Sequence, residues 1–121
     1  MTASVDTVRT IAMGLPATTE KPCWGTPAWY VKGKIFARIL EDATSVVVKV
    51  DFDERAALVQ EDPKVYAVTP HYEGYPMVIV RLGKVTKAEL EERLVEAWRY
   101  SAPAKLLREF DAENLTDSKG P

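Results

Sequence analysis

The sequence predicts an α+β domain, a two-layer sandwich in which an antiparallel β-sheet carries helices packed on one face. Three observations lead there. The stretch from Pro27 to Val50 holds three runs of aromatic and β-branched residues separated by turn formers. These runs recur about every ten residues, the spacing of an antiparallel meander. Segments with helical spacing of apolar residues lie before and after the strands rather than between each pair, which segregates the two kinds of element.

Taken in order, Ser4 is placed to cap a helix whose apolar side is Val5, Val8, Ile11, Ala12 and Leu15, stopped by Gly14 and Pro16. Ala17 to Thr26, with Pro22 and Gly25, reads as a loop. The meander follows: Trp29 to Val31, a turn at Lys32-Gly33-Lys34, Ile35 to Leu40, a turn at Glu41 to Thr44, and Ser45 to Val50. Asp51 or Asp53 then caps a helix with an acidic first turn, as the helix dipole favours, ended by Asp62-Pro63. Val65 to Val68 and Met77 to Leu82 are further strands, joined by the aromatic loop Thr69 to Pro76 and followed by a turn at Gly83-Lys84. Thr86 with Glu89 forms a capping box for a helix from about Lys87 to Tyr100. Ser101 and Pro103 break it, and a last helix runs through Phe110. Asn114 to Pro121 lacks periodicity and is expected to fray.

At 121 residues, 46% hydrophobic and 28% charged, the chain is expected to form one domain over residues 1–111, with 112–121 as a flexible tail. No apolar run approaches the roughly 20 residues of a membrane span. The first residues lack the basic-then-apolar order of a signal peptide. Cys23 is the sole cysteine and cannot form an internal disulfide. A cytoplasmic monomer is the expectation. Net charge is −2, which disfavours a generic polyanion binder, yet residues 21–50 and 64–88 each carry +3 while the remainder is acidic.

Period-2 alternation places Arg38 with Phe36 and Leu40, Lys49 with Val47, and Arg81 with Ile79 and Met77 on one sheet face. With Lys32, Lys34 and Lys84 in flanking turns, these cations are candidate phosphate contacts, and Trp24, Trp29, Tyr30 and Tyr75 are candidate stacking residues. An ordinary solvated face, its cations paired with Glu41, Asp51 or Asp53, accounts for the same pattern. Cys23 and His71 are one of each kind, too few nitrogen and sulfur ligands for zinc. As a nucleophilic pair they need hydrogen-bond reach and a third, orienting group. The acidic clusters lack calcium-loop spacing, and there is no glycine-rich phosphate loop. No catalytic residue, metal or cofactor is expected.

The chain resembles the MmcQ/YjbR-like family. The matching features are the opening helix ending Gly14-Leu15-Pro16, Gly25-Thr26-Pro27 ahead of an aromatic strand, and Gly33-Lys34-Ile35-Phe36-Ala37. The strand ending in Lys49, the Asp-Pro closing the second helix, Trp98-Arg99-Tyr100 and Lys105-Leu106 also fit. The resemblance implies a two-layer α+β fold similar to the frataxin-like arrangement. It also implies a double-wing mode of DNA binding in which β-hairpins act as wings. Here the first wing would be the hairpin at Lys32-Gly33-Lys34; the second would be Tyr72 to Met77 with the strand carrying Arg81. Tyr75-Pro76 stands where family members often have tryptophan. Iron binding does not follow from the likeness, because the first helix lacks an acidic ridge.

Two functions are therefore expected in competition. One is a small non-catalytic DNA-binding module using Lys32, Lys34, Arg38, Lys49, Arg81 and Lys84. The other is a protein- or small-ligand-binding domain using the open sheet face, with the aromatics as anchors.

Overall fold

The chain folds, in a computed structural model that describes residues 3–118, into a six-stranded sheet with four helices. The order is α1 (Val5–Met13), β1 (Thr18–Cys23), β2 (Thr26–Val31), β3 (Lys34–Ile39), β4 (Ser45–Lys49), α2 (Phe52–Glu61), β5 (Tyr66–Ala67), β6 (Met77–Arg81), α3 (Lys87–Ser101) and α4 (Ala104–Ser118). The strands lie in the order β1-β2-β3-β4-β6-β5, and every neighbouring pair is antiparallel. The expected fold class is the one observed.

Three helix starts follow the sequence signals. Ser4 caps α1, Asp51 caps α2 through its bond to the Glu54 amide, and Thr86 caps α3 through the Glu89 amide. The reciprocal half of the expected Thr86–Glu89 box goes elsewhere, since the Glu89 carboxylate accepts the Tyr66 hydroxyl. The α4 backbone continues past Phe110 to Ser118, so most of the expected tail is helical; residues 119–121 lie outside those described.

The segment expected as a loop, Ala17 to Thr26, contains β1. Its residues are all at least partly exposed, so no apolar alternation marks it, and Pro22 is tolerated because β1 is an edge strand. Trp24 and Gly25 form the two-residue turn into β2 with φ of 52° and 84°, the left-handed pair of a type I′ hairpin. Lys32 and Gly33 repeat that geometry between β2 and β3.

One sheet face packs against the helices through Trp29, Val31, Ile39, Val46, Val48, Val78 and Val80, joined by Leu90, Leu94 and Trp98. A bulge sets the opposite face. Trp29 pairs with Ala37 but Tyr30 pairs with Ile35, so Phe36 is an extra residue and alternation restarts there. Phe36 consequently joins the helix-facing core rather than sharing a face with Arg38. Arg38 pairs with Val47, which pairs with Ile79; Val47, Met77 and Ile79 form a second, smaller apolar cluster against Tyr72.

Candidate functional site in the open sheet face

The side of the sheet without helices is covered in part by the loop between β5 and β6. Arg55 of α2 fixes that loop: its guanidinium donates to the carbonyls of Tyr72 (3.2 Å), Glu73 (3.0 Å), Tyr75 (2.8 Å) and Met77 (3.3 Å). So held, the loop lays His71, Tyr72 and Tyr75 over the sheet, where they meet Trp24 from the first hairpin. His71 sits edge-on to Tyr72 at 4.7 Å and to Trp24 at 6.0 Å, and 6.4 Å from Tyr75. Trp24 and Tyr75 remain 74% and 57% exposed, large for aromatic side chains that share a cluster.

Beneath these rings is a cleft of about 220 Å³ floored by Ile35, Arg38, Val47 and Met77 and walled by Cys23 and the four rings. A second hollow of about 350 Å³ shares Trp24, Arg38, His71 and Tyr72 and continues over Leu40, Glu41 and Ile79.

Arg38 is the one charged group at the bottom, 4% exposed. Its Nε donates to the Cys23 carbonyl at 2.9 Å, one terminal nitrogen to the Tyr72 hydroxyl at 3.3 Å and the other to Glu41 at 2.5 Å. Burial opposes its charge, but the bonds to Glu41 and Tyr72 outweigh burial and raise its pKa further. Glu41 is held below the usual carboxylate range, first by its bond to Arg38. Arg38 also lies 5.5 Å from the Trp24 ring centroid. The Tyr30 hydroxyl has a raised pKa, chiefly from burial and then from its hydrogen bond with Cys23. Lys21 stands over the Tyr30 ring at 4.8 Å.

The six expected phosphate contacts do not form one patch. Lys32 and Lys34 are exposed at the tip of the β2–β3 hairpin, and Lys49 lies at that same end of the sheet. Arg81 pairs with Ser45, four residues along the ladder from Lys49, about 13 Å away at strand rise. There Arg81 donates to the carbonyls of Pro63 and Lys64, and Lys84 follows in the next turn. Arg38 is buried beneath the cleft, already paired with Glu41, and lies apart from both lysine groups. Among the described residues, the four lysines Lys32, Lys34, Lys49 and Lys84 make no ion pair.

The four expected stacking residues also divide. Trp29 is 0% exposed, on the helix side, and donates its Nε1 to Glu20 at 3.1 Å, so it is out of reach of any ligand on the open face. Tyr30 is half-buried under Lys21, while Trp24 and Tyr75 present open rings. Cys23 and His71 do line the same cleft. Among the described residues, no group of three or more His, Cys, Asp or Glu side chains converges as a metal site, and no helix is long and apolar enough to cross a membrane.

Sequence reasoning missed Arg55 and the contact of Tyr72 with Arg38, whereas Glu41 was among the carboxylates expected to pair with the cations and does so with Arg38. Arg55 and Tyr72 carry no pattern of their own, because their partners lie far along the chain. Glu41, three residues after Arg38, is near enough in sequence for its pairing to be expected.

Comparison with known proteins agrees with the fold. The sequence model of the YjbR family matches residues 13–100. An uncharacterized protein of Mycobacterium tuberculosis (strain H37Rv) is 34% identical, over 93% of this chain and 98% of its own length. One from Mycobacterium bovis is equally similar over the same shares. The crystal structure of a Deinococcus radiodurans protein with a DUF419 domain superposes with a TM-score of 0.69 at 26% identity, over 80% of this chain and 77% of that one.

Proposed function

The chain belongs to the YjbR family, and from that premise we propose that it is a binding domain without turnover whose ligand occupies the cleft of the open sheet face. One observation carries the reading: Trp24, His71, Tyr72 and Tyr75 are gathered from two separate loops above a single buried arginine. Pockets for small ligands have this composition, mostly aromatic and aliphatic walls with a few placed polar groups. Binding rather than nucleophilic chemistry is supported by the neighbours of the two reactive groups. Cys23 and His71 line the same cleft, but no hydrogen bond joins them among the described residues; the His71 ring packs edge-on to Tyr72, whereas a nucleophilic pair needs base and thiol within hydrogen-bond reach.

The test is an amide chemical-shift map of the labelled protein titrated with mixtures of small aromatic compounds. Shifts should concentrate on Trp24, Arg38 and residues 71–77. Shifts scattered over the helices, or confined to the hairpin at Lys32, would sink the reading.

A second reading is supported by the lysines. Lys32 and Lys34 project from a tight hairpin with Lys49 behind them, unpaired among the described residues, which suits the wing expected from the family resemblance. Three such contacts correspond to a log–log salt slope of about −3 on duplex DNA, shallower than six would produce. Fluorescence anisotropy of a labelled duplex at low salt tests it. Binding unaffected by Lys32→Glu with Lys34→Glu removes this second reading and leaves the cleft untouched.

A further inference from the structure

We infer that the cleft takes a planar aromatic anion, its ring packed on Trp24 and Tyr75 and its charged group directed to Arg38. This rests on the ligand-binding reading above and names the ligand's chemistry. Size comes first. A cavity of about 150 Å³ accepts benzene, so about 220 Å³ opening into a further hollow has room for a substituted or fused ring system.

Charge selects the substituent. An array of aromatic rings also suits cations, but here Arg38 already stands 5.5 Å from the Trp24 ring. The strand register adds Lys21 to the same face. A cationic ligand would meet like charge. A neutral hydrocarbon would leave donors unanswered. Arg38 donates three hydrogen bonds, whereas a guanidinium carries five N–H groups in a planar fork. Paired oxygens of a carboxylate or sulfonate match such a fork. The present carboxylate partner, Glu41, is 69% exposed on its side chain and so is a displaceable companion rather than a buried fixture.

The backbone at Trp24 adds an independent sign. Its φ of 52° is a left-handed position that bulky residues rarely occupy. The turn would be better served by asparagine, and the ring it carries faces the cleft.

Two dyes with one skeleton separate the elements of the inference. Anilinonaphthalene sulfonate carries the anion; N-phenylnaphthylamine is its neutral counterpart. Each is titrated into the native full-length chain, following dye emission and tryptophan quenching. The sulfonate should bind saturably, and the neutral dye about tenfold more weakly or worse, a difference of one unit in log affinity. Trp24→Asn should weaken the sulfonate about tenfold, the loss of one stacked ring. Glu41→Gln should tighten it up to about threefold, the scale of one exposed competing carboxylate, without changing the neutral dye. If both dyes bind alike and both are lost in Trp24→Asn, the cleft is a ligand site but the anion inference falls. Should neither dye bind, or binding ignore Trp24→Asn, the cleft reading falls with it.

Discussion

Replacing Arg55 tests whether the aromatic wall is held from behind by α2. Three of its N–H groups reach four carbonyls of residues 72–77. A hydrogen bond from a charged donor contributes about 1.5 kcal/mol net, and half-exposure lowers that, so three are worth about 3 kcal/mol at most. The carbonyls are not all orphaned on truncation. That of Tyr72 also accepts from the Tyr75 amide, and that of Tyr75 from the Met77 amide. The stacking of Arg55 on the exposed Phe52 ring, at 4.8 Å, adds little. Arg55→Ala should therefore cost about 2 kcal/mol, which for a chain of this size lowers Tm by about 8 °C.

Lysine offers a point charge in place of the fork, so Arg55→Lys should recover less than half of the loss. Thermal melts followed by circular dichroism measure both. Hydrogen exchange locates the effect, with protection expected to fall at the amides of Tyr72, Tyr75 and Met77 before it falls in β3 or β4. A melt within about 2 °C of the parent, with unchanged exchange in the loop, would refute the reasoning. So would an Arg55→Lys variant as stable as the parent, since any nearby cation would then suffice.

Three further outcomes follow from single sites. Trp24→Asn, though damaging to the cleft, should raise stability by about 1 kcal/mol and Tm by about 4 °C on calorimetry, because asparagine suits the first left-handed position of the turn. Burial, and then the bond to Glu89, raise the Tyr66 pKa far above its ordinary value. A raised pKa means its contribution is whole below about pH 10 and is lost as pH climbs beyond that; alkaline melts of Tyr66→Phe should fall less steeply than those of the parent. Glu20 is held below the usual carboxylate range, first by its bond to Arg9, against some burial. Its contribution is present above about pH 4.5 and lost as pH falls through the folded value, so Glu20→Gln should flatten acid denaturation there, read by fluorescence of its partner Trp29.

Much of this arrangement was legible because it is local. The runs that became β2, β3 and β4 are β-branched and bounded by turn residues, and each of three helix caps sits immediately before its helix. What escaped is what depends on partners distant in sequence. β1 is an edge strand of polar residues, stabilised by its ladder with β2 rather than by a buried face. The Glu89 side chain fits a capping box by spacing, yet the Tyr66 hydroxyl, 23 residues earlier, takes it. Period-2 reasoning placed Phe36 beside Arg38 because nothing in one strand announces a bulge. Trp29 illustrates the same limit: alternation says which residues share a face, and only the packing of α1 and α3 decides which face is covered.

The two hairpins bounding β2 decide whether Trp24 is there for the turn or for the cleft. Both turns are two residues long, both end in glycine at φ near 84°, and both begin with a non-glycine residue at φ near 50°. The backbone requirement is therefore the same at Lys32 and at Trp24. A lysine satisfies it at one tip with an extended, solvated side chain. At the other tip stands the largest side chain available, 74% exposed, so core packing does not explain it. Its ring is instead directed at Arg38 and His71, over a floor that the bulge at Phe36 turns outward and beside a loop that Arg55 fixes. Turn, bulge and loop are separate departures from regular structure, and a merely solvated sheet face needs none of them. Their convergence on one concavity is what supports the proposed ligand site over the uncovered side of a two-layer fold.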